Sequence, residues 1–181
     1  LREDLLKDEV ASLRVEVAVV TFGGEVNLAQ DFATMDDFNL QTLSTKGDTP
    51  MGEALEYALQ LVTEAKEYYK SEGIRYYRPW VWLVTDGAPT SPWQEAAEKV
   101  HKASAAKQIL FYAVAVESAD INTLKQIATP ERPPIKLNGI NFIKMFLWLS
   151  ASLTEVSRSS LNTGKQEQYM LPPVDWGNEN V

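Results

Sequence analysis

The 181-residue sequence contains no cysteine and only one histidine, His101. Without thiols there is no disulfide framework, thiolate zinc site, iron–sulfur cluster or cysteine nucleophile, and a lone imidazole excludes a multi-histidine metal centre. The redox compartment stays open, because a cysteine-free chain tolerates either one. Basic charge is also scarce. The 17 Lys and Arg face 25 Asp and Glu, for a formal net charge of −8, the wrong sign for a nucleic-acid backbone or an anionic membrane surface. No apolar run approaches the ~20 residues of a membrane span, and neither Gly-x-x-x-x-Gly-Lys nor Gly-x-Gly-x-x-Gly occurs, so nucleotide binding has no support. The amino end, Leu1-Arg2-Glu3-Asp4-Leu5-Leu6-Lys7, mixes charge as an amphipathic helix does and lacks the basic-then-apolar order of a signal peptide. Opening on Leu1 rather than Met predicts that the chain lies inside a longer one.

What is present suits one globular domain followed by a tail: 45% of the residues are hydrophobic and 23% charged. Residues 15–22 form a β-branched apolar run closed by Gly23-Gly24, which predicts a buried strand ending in a turn, with a shorter strand over 26–32. Met51, Ala54, Leu55, Ala58, Val62, Ala65 and Tyr69 recur at helical spacing, and Thr49 and Pro50 suit the cap and first turn of that helix. Residues 80–85 are apolar throughout, as in a strand covered on both faces, and Asp86-Gly87 ends the run. Ser91 and Gln94 have the spacing of a capping box, leading a helix to 107 with Trp93, Ala96, Ala97, Val100 and Ser104 inward. A buried strand at 109–116, a short helix at 121–128, a short strand at 134–137 and a long helix at 142–157 follow. The last should carry Phe142, Met145, Phe146, Leu149, Leu153 and Val156 on one side. This alternation predicts a doubly wound α/β fold, a mostly parallel sheet with helices on both faces. The domain should occupy 1–158. Residues 159–181, with Pro172-Pro173 and Asp175-Trp176-Gly177, read as a tail docked across it.

In such a sheet, ligands bind outside the carboxyl ends of the strands. Two segments are aimed there, Lys46-Gly47-Asp48-Thr49-Pro50 and Thr85-Asp86-Gly87. A hydroxyl and a carboxylate in that position suit a small hard cation, since Mg²⁺ takes oxygen ligands at ~2.1 Å and keeps several waters. Thr49 as a helix cap and Asp86-Gly87 as a mere turn meet the same spacing, and on spacing alone that plainer reading is the better one. His101 stands near the edge of a helical apolar face with no partner for catalysis, and Tyr76-Tyr77-Arg78-Pro79-Trp80 reads as packing rather than base stacking. Met145–Leu149 is apolar on more than one side, a core element first and a partner surface second.

Several separated motifs, Val17-Ala18-Val19-Val20-Thr21-Phe22-Gly23, Gly47-Asp48-Thr49-Pro50-Met51-Gly52, Tyr76-Tyr77-Arg78-Pro79-Trp80, Leu83-Val84-Thr85-Asp86-Gly87-Ala88-Pro89-Thr90 and Trp148-Leu149-Ser150-Ala151-Ser152-Leu153, occur in one order. Together they closely resemble the bacterial von Willebrand factor A domains of the TerY-like, or YegL-like, tellurium-resistance group. That resemblance implies a metal-ion-dependent adhesion site (MIDAS), with a divalent cation, Mg²⁺ or Mn²⁺, held by an Asp-x-Ser-x-Ser motif, a threonine and an aspartate. By motif, Thr49 and Asp86 match the second and third elements. The first is absent from the sequence, and with it three of five ligand side chains and a central strand between 15–22 and 80–85. The resemblance therefore implies a strand supplied by an upstream segment or a second chain. It also implies a cytoplasmic, non-enzymatic interaction module in tellurite and stress resistance, a scaffold for kinase and phosphatase partners, whose open metal position takes a partner's acidic side chain. The competing expectations are a metal-dependent phosphohydrolase, drawing on Asp86, Asp48 and Asp120, and a structural interaction domain whose metal site is unused.

Overall fold

A computed structural model describes residues 1–43, 47–137, 139, 141–158 and 174–178. Two short helices, α1 (Arg2–Leu5) and α2 (Glu9–Arg14), lead into a hairpin of β1 (Glu16–Gly23) and β2 (Glu25–Thr34). The hairpin is antiparallel, turning at Gly24, whose φ of 80° is a conformation that glycine adopts at no steric cost. The second strand is longer than the expected 26–32, because Glu25 pairs with Gly23 at the turn and Ala33 and Thr34 continue the ladder to Val17 and Glu16.

Helix α3 (Met51–Ser71) follows, then β3 (Trp80–Thr85), α4 (Gln94–Ala105), β4 (Leu110–Ala115), α5 (Ile121–Ile127), β5 (Ile135–Leu137), α6 (Phe142–Arg158) and β6 (Gly177–Asn178). Strands β3, β4 and β5 pair in parallel, Trp80↔Leu110 through Thr85↔Ala115 and Val114↔Ile135, while β6 closes the edge antiparallel. The molecule is therefore an α/β three-layer sandwich of the Rossmann-like kind with parallel strands in its main sheet, as the alternation of elements predicts.

The period of two assigns side chains to faces. Val81, Leu83, Phe111, Ala113 and Ala115 join Met51, Leu55 and Val62 of α3 and Ala96, Ala97 and Val100 of α4 in one core. On the opposite face Val114, Val116, Ile135 and Leu137 meet Met145 and Trp148 of α6, with Trp80, Trp82 and Val84 packed alongside. A third cluster, Leu5, Ala11, Val15 and Met35, sits between the first helices and the hairpin, and Leu153 of α6 packs against it.

Among the described residues the hairpin and the main sheet form two separate ladders, and β1 does not pair with β3. The two strands are nevertheless bridged at both ends. The Arg14 guanidinium and the Tyr77 hydroxyl both donate to the Ser157 carbonyl, at 2.8 and 3.1 Å. At the other end the Gly24 N–H donates to the Asp48 carbonyl at 2.7 Å, and α3 packs on both strands.

Two local expectations differ. Helix α4 begins at Gln94 with Trp93 in the cap position, and Ser91 makes no capping bond, since its buried hydroxyl has no partner. The Gln94 side chain instead accepts from the Trp93 N–H at 3.1 Å. On α6 the buried stripe is Met145, Trp148, Ser152 and Val156, while Phe146 turns 39% of its surface outward. Of the C-terminal segment, Gly177 and Asn178 pair with β5, and Val174 and Trp176 pack in the α6-side core.

Candidate metal centre

The turn after β1, the loop before α3 and the loop after β3 meet at the carboxyl ends of the strands. Gly47, at φ 88°, lies against Gly24, where an added Cβ would sit 3.2 Å from the Gly24 Cα. Thr49 and Thr90 are bonded reciprocally: the Thr49 N–H donates to the Thr90 hydroxyl at 2.8 Å, and the Thr90 N–H donates to the Thr49 carbonyl at 3.0 Å. That carbonyl also accepts from the Met51 N–H at 2.8 Å. Backbone rather than side chain thus starts α3, which has no side-chain cap bond.

The plainer reading of Thr49 as a cap therefore does not hold, because its hydroxyl is not spent on the helix. That hydroxyl lies over Gly87, 3.4 Å from where a Cβ would stand. The neighbouring turn is stitched by Thr85, whose hydroxyl accepts from the Gly87 N–H at 3.3 Å. Asp86 is exposed, and its main-chain carbonyl accepts from the Ser118 hydroxyl at 3.3 Å. The structure thus brings Thr49 and the Asp86-Gly87 turn together, and no described residue bonds the Thr49 hydroxyl or pairs with the Asp86 carboxylate. Thr90 and Ser118 are the positioning residues that spacing alone does not reveal, since they reach the site from separate loops.

One hydroxyl and one carboxylate fit part of an oxygen-ligated cation site and do not enclose it, since Mg²⁺ fills six positions. Among the described residues no group of three or more His, Asp or Glu could hold a metal ion. Asp120, a candidate acid for phosphohydrolysis, is committed elsewhere: its carboxylate accepts from the Thr123 hydroxyl at 2.7 Å and from the Asn122 and Thr123 N–H groups, capping α5. The Thr123 hydroxyl, with those backbone donors, holds the Asp120 carboxyl below its ordinary range.

The remaining candidates are structural. His101 Nε2 lies 3.1 and 3.0 Å from the Ile127 and Ala128 carbonyls, so it carries the proton and donates to the end of α5. Tyr76 packs its ring 5.6 Å from that of Tyr69, Arg78 donates to the Ser104 carbonyl at 3.0 Å, and Trp80 packs against the α6-side core.

The sequence profile of the von Willebrand factor type A domain matches residues 5–144. The chain belongs to this family. Two solved structures of proximal thread matrix protein 1 from the mussel byssus share the fold. One, a second crystal form, has a TM-score of 0.56 and 20% identity; the other, with a zinc-occupied MIDAS motif, has 0.54 and 19%. Each alignment covers 84% of this chain and 40% of the mussel protein, so the chain spans about two fifths of that protein's length. No curated protein sequence matches significantly. Von Willebrand factor A domains are protein-interaction modules, typically metal-dependent. Among the described residues no helix is long and apolar enough to cross a membrane.

Proposed function

We propose that this von Willebrand factor A domain is a metal-assisted protein-binding module. In this reading Thr49 and Asp86 are two of the ligands of a divalent cation, Mg²⁺ or Mn²⁺. The observation that carries it is the junction of the two loops, where the Thr49 hydroxyl stands against the Asp86-Gly87 turn, unspent on helix capping. The zinc-occupied MIDAS motif of the mussel protein supports the chemistry. A cation held there by oxygen ligands keeps an open position for a carboxylate, so a partner's Asp or Glu would bind in a metal-dependent way.

The sequence resemblance extends the proposal to a bacterial, cytoplasmic protein of the TerY-like group, serving tellurite and stress resistance as a scaffold for kinases and phosphatases. It also supplies the third element of the reading: a strand carrying the Asp-x-Ser-x-Ser ligands, from an upstream segment or another chain, completes the sheet between β1 and β3. The separation of those strands into two ladders supports that arrangement. The domain body is then 1–158, and 159–181 is an appended segment.

Calorimetric titration of Mg²⁺ and Mn²⁺ into the complete protein tests this reading, with Asp86→Ala and a phosphatase assay in parallel. Binding abolished by the substitution, with no turnover, is the expected result. Robust turnover would replace the module with a phosphohydrolase, and absence of binding would leave a structural interaction domain whose metal site is unused.

A further inference from the structure

The loop after β4 holds one residue in a conformation that its side chain disfavours. Val116 to Ala119 form a β-turn closed by the Ala119 N–H, which donates to the Val116 carbonyl at 3.0 Å. Glu117 takes the first central position with φ at 47°, while Ser118 at the second is not left-handed. Turns of that pattern call for glycine at the first central position, because a side chain there crowds the backbone. The other left-handed non-glycine residue among those described, Lys107 at φ 56°, directly follows the C-cap of α4, where helices commonly end in that conformation. Glu117 follows a strand, so no helix end accounts for it. It is also fastened to the candidate metal centre from both sides. The preceding Val116 donates its N–H to the Thr85 carbonyl at 2.8 Å, and the following Ser118 donates its hydroxyl to the Asp86 carbonyl at 3.3 Å. Between those two bonds the Glu117 side chain is exposed, and its carboxylate has no hydrogen-bond or ion-pair partner among the described residues.

Resting on the metal-assisted reading above, we propose that Glu117 is a further functional residue of that centre, whose carboxylate holds the water shell of the divalent cation. Sparsely populated backbone conformations persist where the surrounding structure over-determines them, and they cluster at ligand sites. Here the two bonds to Thr85 and Asp86 do the fixing, and they tie Glu117 to the same turn that carries the candidate ligand. A hard cation that keeps several waters presents their hydrogens to its surroundings, and an ionised carboxylate accepts hydrogen bonds without competing donors. Glu117 thus adds a third loop to those of Thr49 and Asp86. Glycine in its place would seat the turn with less strain and would supply no acceptor, so the glutamate trades fold stability for a charge at the site.

Calorimetric titration of Mn²⁺ into the complete protein, read beside the denaturant midpoint, tests this. Glu117→Gln keeps the strained turn and removes only the charge. It should raise the Kd for Mn²⁺ by about tenfold or more, the usual effect of losing an outer-shell partner, and leave the midpoint where it is. Glu117→Gly also relieves the turn, so it should weaken Mn²⁺ binding to the same degree while raising the midpoint. Affinity and stability then move in opposite directions, which a purely structural turn residue would not produce. Parent-like Mn²⁺ affinity in Glu117→Gln, with Asp86→Ala still abolishing binding, would overturn the role of Glu117 alone. No Mn²⁺ binding by the parent would overturn the metal-assisted reading and this inference together. A lower midpoint in Glu117→Gly would show that the turn stores no strain and would count against the proposal.

Discussion

Gly52 has no room for a side chain. A Cβ there would meet the Pro92 carbonyl oxygen at 2.1 Å and the Trp93 Cα at 2.9 Å, both backbone atoms that cannot swing away. The start of α3 is thereby pressed against the approach to α4, and the same contact fixes Thr49 beside the loop after β3. Gly52→Ala should destabilise the fold by about 1–3 kcal/mol, the usual range for forcing atoms into a packed site, read as a lower denaturant midpoint. An unchanged midpoint would mean that the two segments slide freely. Asp120 offers a different test. Its folded-state pKa lies below its ordinary value of 3.8, so the stability it contributes is present above pH ~4 and is lost as pH falls through the lowered value. Asparagine caps helices about as well and does not titrate in this range. Asp120→Asn should therefore melt less steeply with acid than the parent and converge with it at low pH. Parallel melting curves at every pH would exclude Asp120 as an acid-sensitive cap.

Among the elements, β3 was legible to the residue, because an uninterrupted apolar run bounded by Pro79 and Asp86-Gly87 admits one placement. The start of α4 was not. Ser91 and Gln94 have the spacing of a capping box, but the close contact at Gly52 sets where Pro92 and Trp93 lie, and the helix begins after them. The inward side of α6 holds for Phe142, Met145, Leu149, Leu153 and Val156 and departs from expectation only at Phe146, for a related reason. Its partner on the sheet side is the indole cluster of Trp82 and Trp176, residues remote in sequence, and this favours Trp148 over Phe146. The C-terminal end of α6 gives the prediction at this scale. Arg14 and Tyr77 converge on the carbonyl of Ser157, where a cation and a hydroxyl satisfy a group that the helix itself leaves unpaired. In a double-mutant cycle of Arg14→Ala and Tyr77→Phe, the two losses should be non-additive by ~0.5 kcal/mol or more, as for groups sharing one partner. Strict additivity would show that each acts alone.

For the whole molecule, alternation of strands and helices was enough to give the layered α/β architecture, whereas the division into two ladders was not visible in composition or period. Only the motif order hinted at it, by leaving no counterpart for one central strand. The candidate site was partly legible on the same grounds: Thr49 and Asp86 stand out at element boundaries, while Thr90 and Ser118 reach them through the fold. The division makes a specific claim about β3. The Pro79 and Thr85 carbonyls accept from the Leu110 and Val116 N–H groups, and in a parallel ladder this alternation turns the main-chain groups of Val81 and Leu83 toward β4 and those of Trp82 and Val84 away from it. Both sets lie within the same strand and share its cores, so burial alone would protect them alike. Pairing separates them. In the 181-residue chain the amides of Trp82 and Val84 should exchange well ahead of those of Val81 and Leu83. When an inserted strand fills the space beside β1, the Trp82 and Val84 amides should slow to the level of Val81 and Leu83, because the unpaired edge then gains acceptors. Equal protection of the four amides in the 181-residue chain alone would show that β3 already has a partner on that side, and the two-ladder arrangement would be wrong.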